Sequence, residues 1–186
     1  MTNKDTYKNI FNGNDGYNLH IIDKERYDFV IDDVIRYKHK KLIDISSGRG
    51  FLIKYLKELI RDIEITSTDL EKFNNLDVEF IRLDLCEKDD YKNVMGTYDL
   101  LSCLDVLEHV EEKYIDDILM FFRTLSNRFC LGVANHPDIQ NGIELHLIQE
   151  DKDWWDRKLS KYFKIIESFK MYDDKLYCYI LESGGD

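Results

Sequence analysis

Residues 41–56, KLIDISSGRGFLIKYL, switch periodicity inside a single turn. Up to Ile45 the stretch is short, apolar and β-branched, as a buried strand is. After Gly50, residues Leu52, Tyr55, Leu56, Leu59 and Ile60 recur at three- and four-residue steps and line one face of a helix. Gly48 and Gly50 remove the Cβ atoms at the bend, so the backbone there can approach a ligand closely and take dihedrals that a side chain disfavours. A strand that enters a helix through such a bend is the opening unit of an α/β fold.

The rest of the chain continues the alternation. From Asp23, a plausible N-cap, the positions Tyr27, Val30, Ile31, Val34 and Ile35 predict an amphipathic helix ahead of the first strand. IEITSTD and VEFIRLD read as the second and third strands, YDLLSCLDV as the fourth and RFCLGVAN as the fifth. A helix carrying Ile115, Ile118, Leu119, Phe122 and Leu125 on one face separates the last two. Alternation of this kind implies right-handed crossovers and a parallel, doubly wound sheet. After the Trp154-Trp155 helix, FKIIESFKMYDDKLYCYILES holds two strand-like runs joined at Asp173-Asp174, a hairpin that sets one strand against the others. Residues 23–186 are expected to form a single domain, and residues 1–22, punctuated by Gly13 and Gly16 between aromatics, a leader or a lid.

The 186 residues carry 37 acidic against 26 basic side chains, a net charge of −11 that repels a phosphate backbone and argues against nucleic acid as a partner. No N/D-P-P-Y/F tetrad follows the fourth strand, where CLDV stands. No stretch has the roughly 18 uninterrupted apolar residues of a membrane span, and no signal-peptide core is found near Met1, so a soluble, cytoplasmic protein without a membrane partner is expected. The four cysteines show no CxxC spacing and fall in or beside apolar runs, as reduced, buried thiols do.

Ligands of open parallel sheets sit beyond the carboxyl ends of the strands. Four acids fall at such ends: Asp44, Asp69, Asp84 and Asp105. Asp69 stands 19 residues after Gly50, where a carboxylate can accept the ribose hydroxyls of an adenosine-type cofactor. A dinucleotide fingerprint beginning at Gly48 needs a third glycine at position 53, which is Ile53. An acid inside the first strand also suits a ligand bearing an ammonium and a sulfonium better than one bearing two phosphates.

LIDISSGRG resembles the D-x-G-x-G-x-G turn of the class I S-adenosylmethionine-dependent methyltransferases, and YDLLSCLDVLEHV resembles the stretch after strand four in their small-molecule branch. The resemblance runs in order through residues 40 to 134. It implies a Rossmann-like, seven-stranded sheet, mostly parallel, with an antiparallel strand in the C-terminal hairpin, and S-adenosylmethionine as cofactor. Asp44, Ser46, Ser47, Gly48 and Gly50 then frame the methionine portion, Asp69 with Leu70 binds the ribose, Asp84 and Leu85 flank the adenine, and Leu104 lines the methionine end. Ser46 departs from the pattern by standing where the family has its first glycine; a serine fills that site if its dihedrals stay in the β region, where its hydroxyl can bond the cofactor carboxylate, and otherwise crowds the pocket.

Methyl transfer from a sulfonium asks chiefly for alignment and exclusion of water, and for a base only where the acceptor starts protonated. His109, after strand four, and His146, in the segment where the family builds acceptor pockets, are the candidate bases; a helix-start role for His109 stays open. His136 reads as a turn residue beside the single proline. No H-x-x-x-H or carboxylate spacing supports metal ligation by His109, His136 and His146. The expected activity is methyl transfer to oxygen or nitrogen of a small molecule, a sugar or another biosynthetic intermediate. The alternative is a catalytically silent binding module on the same fold; the sequence leaves the acceptor and the oligomeric state undetermined.

Overall fold

The computed structural model describes Tyr7 and residues 24–184. The expected cap at Asp23 and, Tyr7 apart, the leader or lid over residues 1–22 lie outside these residues. A turn of 3-10 helix, Lys24–Tyr27, leads into α1 (Asp28–Tyr37), followed by β1 (Lys41–Ile45), α2 (Phe51–Leu59), β2 (Glu64–Asp69), β3 (Glu79–Arg82), β4 (Leu100–Leu104), α3 (Glu112–Leu125) and β5 (Arg128–Ala134). A two-stranded ribbon, β6 (Ile139–Gln140) and β7 (Ile143–Glu144), precedes α4 (Lys152–Leu159) and the hairpin of β8 (Phe163–Met171) and β9 (Leu176–Ser183).

Seven strands form one sheet in the order β3-β2-β1-β4-β5-β9-β8. The first five are parallel; β9 lies antiparallel between β5 and β8. Two-residue periodicity sends neighbouring side chains to opposite faces. Leu42 and Ile65 pack with Val30, Ile31 and Val34 of α1 and with Leu52, Ile53 and Leu56 of α2. Ile43, Ile45 and Leu101 meet Ile115, Ile118, Leu119 and Phe122 of α3, and Trp155 and Leu159 of α4, on the other face. Each such side chain, taken fully out of water, stabilises the fold by roughly 1.5 to 3 kcal/mol. Asp151 caps α4, its carboxylate accepting the Trp154 N–H at 2.8 Å.

The alternation of strand and α-helix fails twice: between β3 and β4 only a 3-10 helix, Lys88–Asn93, intervenes, and residues 70–78, between β2 and β3, contain no helix. Asn74 folds this loop back on the glycine bend, donating from Nδ2 to Gly48 O at 3.1 Å while its Oδ1 accepts the Leu76 N–H at 3.2 Å. Side-chain bonds to backbone of this kind compete with helix and favour turns. The hairpin joint is longer than the expected two residues: Tyr172 to Lys175 separate the paired Met171 and Leu176, and Tyr172, Asp173 and Asp174 all take positive φ. Cys103, Cys130 and Cys178 are buried free thiols, whereas Cys86 is only half-buried. No helix among the described residues is long and apolar enough to cross a membrane.

Candidate active site

Strand order reverses between β1 and β4, and their carboxyl ends part around a cavity of about 1030 Å³. The glycine bend forms one wall and is stitched to β2. The Ser46 N–H donates to Thr68 Oγ1 at 3.2 Å, the Ser47 N–H to Thr68 O at 2.9 Å and the Gly48 N–H to Asp69 Oδ2 at 2.8 Å. The Ser47 and Ser67 hydroxyls share a further bond of 2.6 Å. These bonds require a backward twist of the chain, and Ser46 supplies it with φ of 55°. The expected β-region serine is therefore corrected to a left-handed one, a conformation that costs a side chain about 1 kcal/mol or more.

Gly50 also differs from its expected part. It does not line the cavity; at φ of 74° it starts α2, and a Cβ there would sit 2.5 Å from Leu76 Cδ1. Its bare backbone makes room for the 70–78 loop. Ser46, Ser47, Gly48, Leu70, Leu85 and Leu104 do line the cavity, as do the acids Asp44, Asp69, Asp84 and Asp105.

The four acids are not equivalent. Asp44 is 5% exposed, with one oxygen accepting the Ser102 hydroxyl at 2.7 Å. Burial pushes its pKa up to about 7 against that hydrogen bond, and the charge of Asp69 adds to the rise. Asp69 is held by the Gly48 N–H and, at 2.7 Å, by the Leu70 N–H, and burial still lifts it to about 6. Among the described residues no lysine or arginine shifts either carboxyl. Asp84 accepts the Cys86 N–H at 3.1 Å, a bond that fixes the chain beyond β3. Asp105, by contrast, is paired with Arg26.

The far wall collects three histidines. His109 ends the short helix Leu107–His109; its Nδ1 is 3.1 Å from Leu145 O and 2.5 Å from the Tyr7 hydroxyl. His146 Nδ1 is 2.5 Å from His136 O. A carbonyl oxygen only accepts, so His146 Nδ1 carries the proton; the Tyr7 hydroxyl donates to Leu145 O at 3.3 Å, and with His109 Nδ1 donating to the same carbonyl both Nε2 atoms present lone pairs. Burial drives His109 down to about 4, with the neighbouring His146 contributing, and burial also lowers His146. Both rings are neutral at physiological pH, 4.5 Å apart between centroids. His136, expected at a turn, reaches the same cavity with its ring 5.0 Å from His146. Behind them Glu108 is wholly buried: Oε1 accepts the Ala134 N–H at 2.9 Å, and its backbone O accepts the Leu147 and Ile148 N–H groups. Trp155 belongs to the core, and neither it nor Trp154 lines the cavity.

Sequence reasoning missed Arg26, Tyr7, Glu108, Lys175 and the cavity position of His136. Arg26 meets Asp105 across 79 residues of chain, and no spacing signals that encounter. Glu108 had a detectable signal, a carboxylate adjoining a candidate histidine in an otherwise apolar run.

A seven-stranded sheet with β9 inserted antiparallel and a carboxylate-lined glycine bend at its switch point defines a Rossmann-like α/β protein of the methyltransferase type. No protein-family model and no curated protein matches the sequence. Solved structures do. The 1,6-didemethyltoxoflavin-N1-methyltransferase of Burkholderia thailandensis, with bound 1,6-didemethyltoxoflavin and S-adenosylhomocysteine, superposes with a TM-score of 0.72 at 12% identity, over 98% of this chain and 87% of its own. A protein of Pyrococcus horikoshii OT3 gives 0.70 at 14% identity over 97% and 99%. An S-adenosylmethionine-dependent methyltransferase of Clostridium acetobutylicum gives 0.65 at 12% identity over 97% and 99%. The fold is that of the class I S-adenosylmethionine-dependent methyltransferases.

Proposed function

We propose that the chain is a cytoplasmic S-adenosylmethionine-dependent methyltransferase acting on oxygen or nitrogen of a small-molecule acceptor, a sugar or another biosynthetic intermediate. The observation that carries this reading is the pair Asp44 and Asp69: two buried carboxyls facing an open cavity, with no cationic side chain among the described residues shifting them. Buried charge without a partner is costly, and a cationic ligand relieves it. The chemistry of the donor set suits that cofactor. Asp44 accepts from an ammonium, Asp69 from the paired hydroxyls of a ribose, and Leu70, Leu85 and Leu104 supply apolar wall. The cavity is at the upper end of the ~300 to 1,000 Å³ typical of small-molecule sites, with room for an acceptor beside a nucleoside.

When bound, S-adenosylmethionine supplies a methyl group already activated by its sulfonium. The protein's own part is to orient the acceptor, exclude water and remove a proton. Glu108 fixes the Leu145–Ile148 segment through its backbone O, which holds His146 opposite His109. The Nε2 lone pairs of these two histidines are the groups that meet an acceptor hydroxyl or amine.

Isothermal calorimetry with S-adenosylmethionine and with its demethylated product tests the reading. Micromolar binding of both is expected, weakened tenfold or more by Asp69→Ala, on the order of 1.5 to 3 kcal/mol for hydrogen bonds to a charged group. Absence of binding to the wild-type chain leaves the silent binding module instead.

A further inference from the structure

The sequence offers His109 and His146 as candidate bases, and their surroundings add a third member that no ligand spacing signals. Glu108, His109 and His146 each bring one potential ligand atom to a cluster whose atoms all lie within 4.8 Å of one another. The three come from the short helix after β4 and the segment after β7, which Glu108 ties together through the Leu147 and Ile148 amides. The two histidines are in the form a metal ion requires. The histidine Nδ1 protons are committed to Leu145 O and His136 O, which leaves neutral imidazoles with Nε2 free to donate, the arrangement found around protein-bound metals. Glu108 spends Oε1 on the Ala134 amide, while Oε2 is buried without a hydrogen-bond partner among the described residues. An orphaned, buried carboxylate oxygen demands either a proton or a cation. Asp105, three residues earlier, keeps its Oδ1 buried and without a hydrogen-bond partner among the described residues and adds negative charge beside the cluster.

We infer that Glu108, His109 and His146 hold a divalent first-row transition-metal ion at the acceptor wall of the cavity. Two imidazole nitrogens and one carboxylate oxygen select such an ion over magnesium or calcium, which prefer oxygen ligands throughout. Three protein ligands leave coordination positions open, and both histidines line the cavity, so those positions face the space beside Leu104. An acceptor bearing an oxygen donor, a hydroxyl above all, is the class of substrate that the ion orients. The histidine lone pairs then act on the acceptor through the ion rather than by direct proton transfer. The metal seat stands on these three residues; its bearing on the acceptor rests on the methyl-transfer reading.

The test uses the full chain, freed of any affinity tag, stripped with a chelator and titrated with Co²⁺. The expected result is one ion per chain, seen by calorimetry and as a visible d–d absorption band. His146→Ala is expected to weaken Co²⁺ binding by roughly tenfold or more, since loss of even an outer-shell partner costs that much. Glu108→Gln, which keeps an oxygen for the Ala134 amide, is expected to do the same and serves where the histidine variant fails to fold. Circular dichroism and the affinity for S-adenosylhomocysteine, unchanged in both variants, show that only the seat has been altered. Absence of stoichiometric Co²⁺ binding overturns the inference, and so does binding that survives both substitutions. Failure of S-adenosylhomocysteine to bind while Co²⁺ binds overturns the methyl-transfer reading and leaves the metal site standing.

Discussion

The two ends of the cavity are built differently. At the glycine bend three consecutive amides and a carboxyl oxygen are tied to neighbouring strands: the Ser46, Ser47 and Gly48 amides to Thr68 and Asp69, and Asp44 to Ser102. Adjacent parallel strands supply these contacts, so the fold itself assembles this end. The opposite end is gathered from remote segments. Tyr7 reaches His109, Leu145 sets the same ring, and Arg26 pairs with Asp105. Among the described residues one end presents carboxyls without cations; the other presents a carboxylate that already has one, beside imidazoles whose burial favours the neutral form. On the proposed reading the first end takes the positively charged cofactor and the second the acceptor.

The largest expected effect falls on the gathered end. Arg26 and Asp105 are each mostly buried, and removing one partner strands the other's charge. Arg26→Ala is expected to lower unfolding free energy by about 3 kcal/mol in chemical denaturation. Adding Asp105→Asn to that variant is expected to recover more than half of the loss. Equal losses in the single and double variants would mean that the pair is packing rather than charge, and the contrast between the ends would weaken.

This asymmetry also decides what the sequence could reveal. The period switch around Gly48 and Gly50 marked the strand, the bend and the helix, because these depend on neighbours in the chain. The acids at the strand ends followed from the same register, and the sheet with its late antiparallel strand followed from the hairpin at Asp173-Asp174. Contacts that depend on where distant loops settle left no periodic trace. Neither the Glu108 side chain turned behind the histidines nor the pairing of Arg26 with Asp105 is encoded at any fixed spacing. Ser46 was misread for a subtler reason: a serine prefers the β region on its own account, and only the bonds to β2 overrule it.

A second, smaller effect has opposite sign and belongs to the bend. The Asp44 carboxyl titrates near 7 in the folded protein, raised by burial from the 3.8 it has when exposed. The folded state therefore binds a proton that the unfolded state releases between these values, and stability falls as pH rises through that window. Unliganded protein is expected to melt at a higher temperature near pH 5 than near pH 7.5, so far as this group is concerned. Asp44→Asn, which retains an oxygen for the Ser102 hydroxyl, is expected to flatten that slope and to stabilise the unliganded chain at pH 7.5 by roughly 1 to 3 kcal/mol. The same variant is expected to weaken S-adenosylmethionine binding, and binding to the wild type to weaken as pH drops from 7.5 to 5.5. Thermal melts across pH, with and without ligand, measure all of this. An Asp44→Asn chain that is less stable than wild type at pH 7.5 would show that the carboxylate is held by its surroundings rather than reserved for a ligand.

The smallest effect concerns a single dihedral. Ser46 carries φ of 55° because its own amide and that of Ser47 are bonded to Thr68. Glycine adopts that conformation without a Cβ clash, but it also gives the unfolded chain more freedom to lose. The relief of about 1 kcal/mol or more for a left-handed residue exceeds the few tenths expected from added backbone entropy at a site already strained. Ser46→Gly is thus expected to raise unfolding free energy by roughly 0.5 to 1 kcal/mol while the bonds from the bend to β2 persist. Should the variant be destabilised instead, the Ser46 hydroxyl must contribute more than its backbone strain costs, and a matching fall in S-adenosylhomocysteine affinity would assign that contribution to the ligand's carboxylate.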